Sequence, residues 1–301
     1  MGKAPDKPRS NPMSTDHTIS VCVDPTNPGQ FFACCGLLEL ADRLWPGAEG
    51  WFDADRFFIQ SAGSLSELLD KLKQKPIANT MTAAQRARLD QLSSMTSKQR
   101  SAVAGADEEK TALEALHREL PVLIDGGIAL HIDWFCDEFS GGSRFKTWAG
   151  RQSVLEIACA MHGGLNVSDQ ADELWRSARG IGLPFYFDAD QGGQGSALDV
   201  GFSFDSLAGG ETTRIEIACR PALELLAFIG LQRFRPREVG RTGRFIYVTW
   251  QERLPVSVAA CAACGAVAVR GGSPFEFRLL YRNKYYKSFL PAIPFQGDQD
   301  E

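Results

Sequence analysis

The stretch Asp24-Pro-Thr-Asn-Pro-Gly-Gln-Phe-Phe-Ala-Cys-Cys-Gly-Leu-Leu-Glu-Leu-Ala-Asp-Arg-Leu-Trp-Pro46 decides how the rest of the chain must fold. Asn27 is a favoured N-cap, and Pro28 suits the first helical position, where its missing N–H costs nothing. From Phe31 to Trp45 the segment is apolar on almost every face. Glu39, Asp42 and Arg43 form one narrow polar stripe in its C-terminal half. A helix that is apolar nearly all round is a buried helix. Gly36 in its middle costs about 1 kcal/mol against alanine, so another element is expected to pass close there. Pro46 and Gly47 end it. The expectation is a core helix with the other elements layered around it.

Working outward, His17 to Val23 alternates with Ile19, Val21 and Val23 on one side, the pattern of a strand. Trp51-Phe52 and Phe57-Phe58-Ile59 read as two short strands around a turn at Asp53-Ala-Asp55. Ser64 opens a second helix, with Glu67 completing a capping box and Leu65, Leu68, Leu69 and Leu72 as its apolar face. Residues 79–120 change character, being rich in Ala, Gln, Ser, Lys and Glu. They predict two polar helices broken near Gly105, an insertion closed by Pro121. Strand-type sequence returns from Val122 to Phe135, around a turn at Asp125-Gly-Gly127. Helices are expected over 152–161 and 168–179, and a strand over 184–187.

A second half then echoes the first. A strand at Thr213–Cys219 leads into an apolar helix, Pro221–Phe234, in which Gly230-Leu231 stands as Gly36-Leu37 stands in the first. Phe245–Trp250, an Ala-rich element at Val256–Val269 and a strand at Phe275–Tyr281 complete the chain. The expected class is mixed α+β, with two ferredoxin-like strand–helix–strand halves and a polar helical insertion. The expected boundaries are a leader at 1–15, an N-terminal half at 16–78 and the insertion at 79–120. A middle region at 121–212 and a basic C-terminal half at 213–301 follow.

The 301 residues, 44% hydrophobic and 23% charged, have the make-up of an ordinary globular protein. Met1 to Thr15 lacks an apolar run, so it reads as neither signal peptide nor anchor. No run is long enough to span a bilayer, and a cytoplasmic location without membrane contact follows by default. Eight cysteines without a secretion signal argue against a disulfide framework, and most are expected to be buried thiols. The net charge of −5 is unevenly spread. From Gly230 to Leu290 eleven Lys/Arg face three Glu, a local balance of +8 that leaves −13 elsewhere. Such segregation points to one surface that meets an anionic partner.

Catalytic and metal signatures are weak. Cys261-Ala-Ala-Cys264 has a zinc or redox spacing, but a structural zinc takes four ligands and no second pair exists. Its alanines and apolar flanks favour packed thiols, so no metal or other cofactor is expected. His131-Ile-Asp133, with Asp137 nearby, is the alternative: a metal-dependent hydrolase. No nucleophile elbow, phosphate loop or dinucleotide fingerprint is present. Basic and aromatic residues interleave in three runs instead. They are Arg144-Phe-Lys-Thr-Trp-Ala-Gly-Arg151, then Arg233-Phe-Arg-Pro-Arg237 continuing to Arg241 and Arg244, then Arg278-Leu-Leu-Tyr-Arg-Asn-Lys-Tyr-Tyr-Lys287. Cationic side chains neutralise phosphates and aromatic faces stack on unpaired bases. The alternative for each run is a solvated basic face, or a surface for an acidic protein in a purely structural adaptor.

The first helix motif, Phe145-Lys-Thr-Trp-Ala-Gly150 and Arg220-Pro-Ala-Leu-Glu-Leu-Leu-Ala-Phe-Ile-Gly-Leu-Gln-Arg-Phe-Arg-Pro236 together resemble the Csb-three family. These are CRISPR-associated subunits of type I-U (also called I-G) systems, and the likeness runs from about His17 to about Pro294. The resemblance implies a non-catalytic component of a Cascade-type effector, similar in role to its large subunit. Its partners would be guide RNA, target DNA, the other Cascade-type subunits and a separate helicase–nuclease. The chain is shorter than typical large subunits, and a backbone-type or crRNA-handling subunit is the near alternative. Lys146 and Trp148 fall within a matching motif and are the first candidates for nucleic-acid contact. Arg144, Arg151, Arg233, Arg235, Arg237, Arg241, Arg282, Lys284 and Lys287 complete the candidate set.

Overall fold

The structure is a computed structural model that describes residues 17–124, 128, 130–132, 154–165, 179–181, 187–189, 217–240, 243–283 and 286–297. From the N-terminus the chain runs β1 (His17–Cys22), α1 (Pro28–Leu44), β2 (Glu49–Asp53), β3 (Arg56–Ser61), α2 (Leu65–Gln74) and β4 (Ile77–Asn79). The polar region forms α3 (Ala83–Ser94), α4 (Ser97–Ser101) and α5 (Ala106–Glu119). Then come β5 (Val122–Ile124), β6 (Leu130–His131), α6 (Val154–Gly163) and β7 (Arg179–Ile181). The last part is β8 (Ile217–Cys219), α7 (Pro221–Arg233), β9 (Arg237–Glu238), β10 (Arg244–Thr249) and β11 (Leu254–Pro255). It ends with α8 (Val256–Ala263), β12 (Ser273–Asn283), β13 (Tyr286–Phe289) and β14 (Ile293–Pro294). The class is mixed α+β.

The centre of the molecule is the contact between α1 and α7. The Asn27 side chain caps α1 by accepting from the Gln30 amide, Pro28 opens the helix, and residues 28–41 are buried without a break. The element that passes Gly36 is α7. A Cβ on Gly36 would overlap the Leu226 carbonyl oxygen, and one on Gly230 would overlap the Phe32 carbonyl oxygen. Each glycine therefore faces the backbone four residues before the other, a reciprocal contact that relates the two helices as a local pair. Both positions require the absence of a side chain so that the backbones can meet.

Two antiparallel sheets close on this pair. The first has the order β1-β3-β2-β11, with Ile19, Val21, Phe52, Phe57 and Ile59 turned into the core. The second has the order β13-β12-β10-β9, with β14 also paired to β12. An aromatic cluster ties both sheets to α1. Phe31 stacks on Tyr247 at 4.2 Å, Phe52 meets Trp250 edge to face at 4.9 Å, and Phe32 packs beside Phe277 and Phe289. The second half also donates β11 to the first sheet, pairing Leu254 with Gly50, and Trp250 Nε1 donates to the Gly50 carbonyl at 2.7 Å. The two halves share one core.

The N-terminal half has the strand–helix–hairpin–helix order of a ferredoxin-like unit, with β3 between β1 and β2. The next strand does not return to that sheet: β4 pairs with β5 in a separate sheet of order β4-β5-β6. In the second half the strand–helix–hairpin order recurs as β8, α7, β9 and β10. There β8 pairs with β7, while β10 takes β12 as its second neighbour.

The polar region holds three helices rather than two. The extra break lies at Met95–Thr96, because Thr96 and Gln99 build a second capping box after that of Thr82 and Gln85. Gly105 takes a left-handed φ of +74° to start α5. Leu92 and Ala106 are the buried residues of these three helices. They are tied by Arg88–Glu109 and Arg100–Asp107 ion pairs between helices and Lys110–Glu114 along α5.

The cysteines depart from expectation. Cys34 and Cys35 are buried in α1, where burial pushes both thiols well above their usual pKa. Cys159 and Cys261 are exposed, and Cys22 and Cys264 half-buried. The Ala-rich run is a short helix lying on the surface with Ala259, Ala262 and Ala263 inward, so its thiols are turned outward. Among the described residues no helix is long and apolar enough to cross a membrane.

Candidate nucleic-acid interface

The basic residues at the end of α7 and just beyond it alternate with buried ones. Phe234 and Pro236 are buried, while Arg233, Arg235 and Arg237 between them are exposed. Phe234 is an anchor with no exposed surface, and the chain turns there, with the Arg235 amide donating to the Arg233 carbonyl, before Arg237 enters a strand. Arg237 then enters β9 and pairs with Ile246, and Ile246 faces Glu276 on β12. Two residue pairs further along, Arg244 stands directly opposite Arg278. The core side of β12 is Phe275, Phe277 and Leu279, so Glu276 and Arg278 belong to the outer face.

Two arginines opposite each other in a sheet repel. Glu276 relieves that repulsion. Arg244 donates through Nε to Glu276 Oε1 at 2.8 Å and through Nη2 to Oε2, while Arg278 Nε stays 3.7 Å from Oε1. The hydrogen bond from Arg244 holds the Glu276 carboxyl below its ordinary pKa. Arg278, with a side chain 64% exposed, extends into solvent. The outer face thus carries Arg237 and Arg278 beside a neutralised Arg244–Glu276 pair, with Arg235 exposed two residues before β9.

Arg233 is placed differently from its neighbours. Its Nε lies 3.0 Å from Oε2 of Glu39, a carboxylate only 1% exposed, and Arg43 Nε donates to the other oxygen at 2.6 Å. The polar stripe read on the first helix is therefore partly interior, with Glu39 held between two arginines. Arg282 and Lys287 lie on the paired strands β12 and β13, which shift register between Tyr281 and Asn283. Arg144, Lys146, Trp148, Arg151, Arg241 and Lys284 lie outside the described residues, as do Asp133 and Asp137 of the hydrolase alternative. His131 is on β6, exposed and paired with Leu123. Among the described residues no group of three or more His, Cys, Asp or Glu is placed to hold a metal ion.

Two polar features had no sequence signal strong enough to find them. The first is a buried cluster where α1 and α7 begin. Asn27 Nδ2 donates to Asp188 Oδ1 at 2.9 Å, Arg220 reaches Asp188 Oδ2 at 3.0 Å, and Glu224 accepts from the amides of Phe187 and Asp188. Asp188 and Glu224 have no exposed surface. Burial first, and the Asp188 charge second, push the Glu224 carboxyl up to about 8. Each of these four carboxyl oxygens holds backbone or a neighbouring side chain, the geometry of a brace on residues 187–189. The second is the outer face of the first sheet, where Trp51 and Phe58 stack at 5.4 Å and the Arg253 guanidinium lies 4.6 Å from the Trp51 ring centre. The alternation that puts Phe52 and Phe57 inward was the available clue.

In comparison with known proteins, no family model matches the chain, and no curated protein matches it.

Proposed function

We propose that this chain is a non-catalytic, cytoplasmic subunit of a type I-U CRISPR Cascade-type interference complex that grips guide RNA, target DNA or both by their phosphates. The observation that carries the reading is the outer face of the C-terminal sheet. There, Arg237 on edge strand β9 and Arg278 on β12, with β10 between them, flank the Arg244–Glu276 pair, and Arg235 is exposed just before β9. Guanidinium groups on a rigid sheet are matched to phosphate oxygens and indifferent to base identity. That suits a subunit of an assembly in which pairing with the guide reads the sequence. The resemblance to the Csb-three family supplies the partners: the guide, the target duplex, the other subunits and a separate helicase–nuclease.

The test is co-purification of the tagged chain with its neighbouring operon products and a guide RNA array. Recovery of partner subunits with a discrete short RNA is the expected result. In that assembly the Arg235→Glu/Arg237→Glu variant is expected to weaken RNA or DNA retention as salt rises. Each lost phosphate contact lowers the slope of log K against log salt by about 0.7 to 0.9. A complex that forms without RNA, or whose binding is indifferent to both salt and these substitutions, would sink the proposal in favour of a structural adaptor.

A further inference from the structure

We propose that Cys261 and Cys264 form half of a four-thiolate zinc site that is completed by the same two cysteines of a second copy of this chain. The pair sits at the C-terminal end of α8, with Cys261 in its last turn and Cys264 just beyond it. Cys261 is exposed and Cys264 half-buried, and the Cys264 thiol folds back to donate to the Cys261 carbonyl at 3.3 Å. The turn is closed by the Gly265 and Ala266 amides, which donate to the carbonyls of Ala262 and Cys261. It turns sharply at Gly265, whose φ of +72° favours glycine.

Side chains three apart at a helix end have Cβ atoms about 5–6 Å apart on one face. Thiolates about 2.3 Å from a common zinc lie about 3.8 Å from each other, within reach of two such side chains by rotation. The helix C-terminus also favours a bound cation. Two thiols leave a tetrahedral zinc half-coordinated, and among the described residues no third His, Cys, Asp or Glu joins them.

The surroundings select the source of the other two ligands. Leu254 to Val269 contains no charged residue, yet Ser257, Val258, Cys261, Gly265, Ala266, Val267 and Ala268 are exposed, with Val258 and Val267 each 40% so. An uncharged surface of small residues offers nothing to phosphate and lets a like surface approach closely. A symmetric pair brings four thiols together at its axis. Four thiols release four protons as four Zn–S bonds form, and no electrons move. The test reads metal content and mass, so its outcome does not depend on the proposed nucleic-acid contact.

The experiment is zinc analysis of the full chain under reductant, with its mass measured by light scattering in zinc and in chelator. The expected result is one zinc per two chains, in a dimer that chelator returns to monomer. Cobalt in place of zinc should give the intense visible absorption of a tetrahedral thiolate site. Cys261→Ser/Cys264→Ser should bind no metal and stay monomeric in zinc, with an unchanged melting temperature. One zinc per chain in a monomer, a zinc-free protein, or a dimer that persists in chelator would each overturn the proposal. So would a dimer dissolved by reductant alone, which is a disulfide.

Discussion

Helices α1 and α7 share one plan for their middles and differ at their ends. Both are apolar nearly all round, both carry proline in the first turn, and each places a glycine where the other's backbone passes. At the start of α1 the anchoring begins locally, with Asn27 accepting from the Gln30 amide three residues on. At the start of α7 no side chain caps the helix. Arg220 and Glu224 instead reach the segment 187–189, with Glu224 spanning 37 residues of chain to the Phe187 amide. The crossing is thus specified by short motifs repeated in the sequence; both helix starts reach the 187–189 segment, but α1 adds a local cap and α7 depends on the distant segment alone.

Adding a methyl group at the crossing tests the shared half of that comparison and carries the largest expected effect. In Gly36→Ala or Gly230→Ala the new Cβ meets a backbone oxygen, which has no rotamer by which to yield. The helices must move apart and loosen the packing along both. Each substitution should destabilise the protein by about 3 kcal/mol or more in urea unfolding. The double variant should lose less than the sum, because one separation relieves both clashes. A Gly230→Ala variant as stable as the wild type would break the reciprocity.

The next effect belongs to α7 alone. Glu224 titrates near 8 in the folded protein against an ordinary value of 4.5, so the folded state keeps a proton that the unfolded chain has lost. That contribution is fully present below about pH 4.5, falls as pH rises towards 8, and is gone above it. The slope from this group is at most about 1.4 kcal/mol per pH unit. Glu224→Gln should flatten stability between pH 5 and pH 8, read from unfolding midpoints in a pH series. Asn27, the corresponding polar anchor on α1, carries no titrating group and so adds no slope. An undiminished slope in Glu224→Gln would place its origin elsewhere.

How much of this was legible in the sequence follows from the range of each interaction. Asn27-Pro28, the Ser64–Glu67 capping box, the alternation of β1 and the short strands around Asp53–Asp55 act within a few residues, and each was read correctly. Gly36 announced a close neighbour and Gly230 echoed its place in the second helix, but only the packed backbones show that each helix is the other's neighbour. The departure of β4 to pair with β5 was not legible, since a three-residue strand carries no mark of its sheet. Nor was the outward turn of Cys261, because a helix rich in alanine looks the same whichever face is covered. At the interface, the spacing of Arg233, Arg235 and Arg237 was visible. That Glu39 would hold Arg233, and Glu276 hold Arg244, depended on contacts across the fold.

The smallest expected effect separates Arg233 from the arginines beside it. Glu39 stands three residues after Gly36 and Arg233 three after Gly230, so equivalent positions of the two helices carry opposite charges that pair across the crossing. Removing the guanidinium leaves buried Glu39 with Arg43 still bound. The loss is then that of a partly exposed pair, about 1 kcal/mol, rather than that of a stranded buried charge. Arg233→Ala should therefore lower stability slightly and leave nucleic-acid retention nearly unchanged. Arg235→Ala should do the opposite, since buried Phe234 and Pro236 hold the chain in place around an outward side chain. Both variants are to be measured in the same two assays, urea unfolding and salt-dependent binding. If Arg233→Ala instead loses binding with stability intact, Arg233 belongs with the phosphate-facing set, and the ion pair to Glu39 gives way when nucleic acid binds.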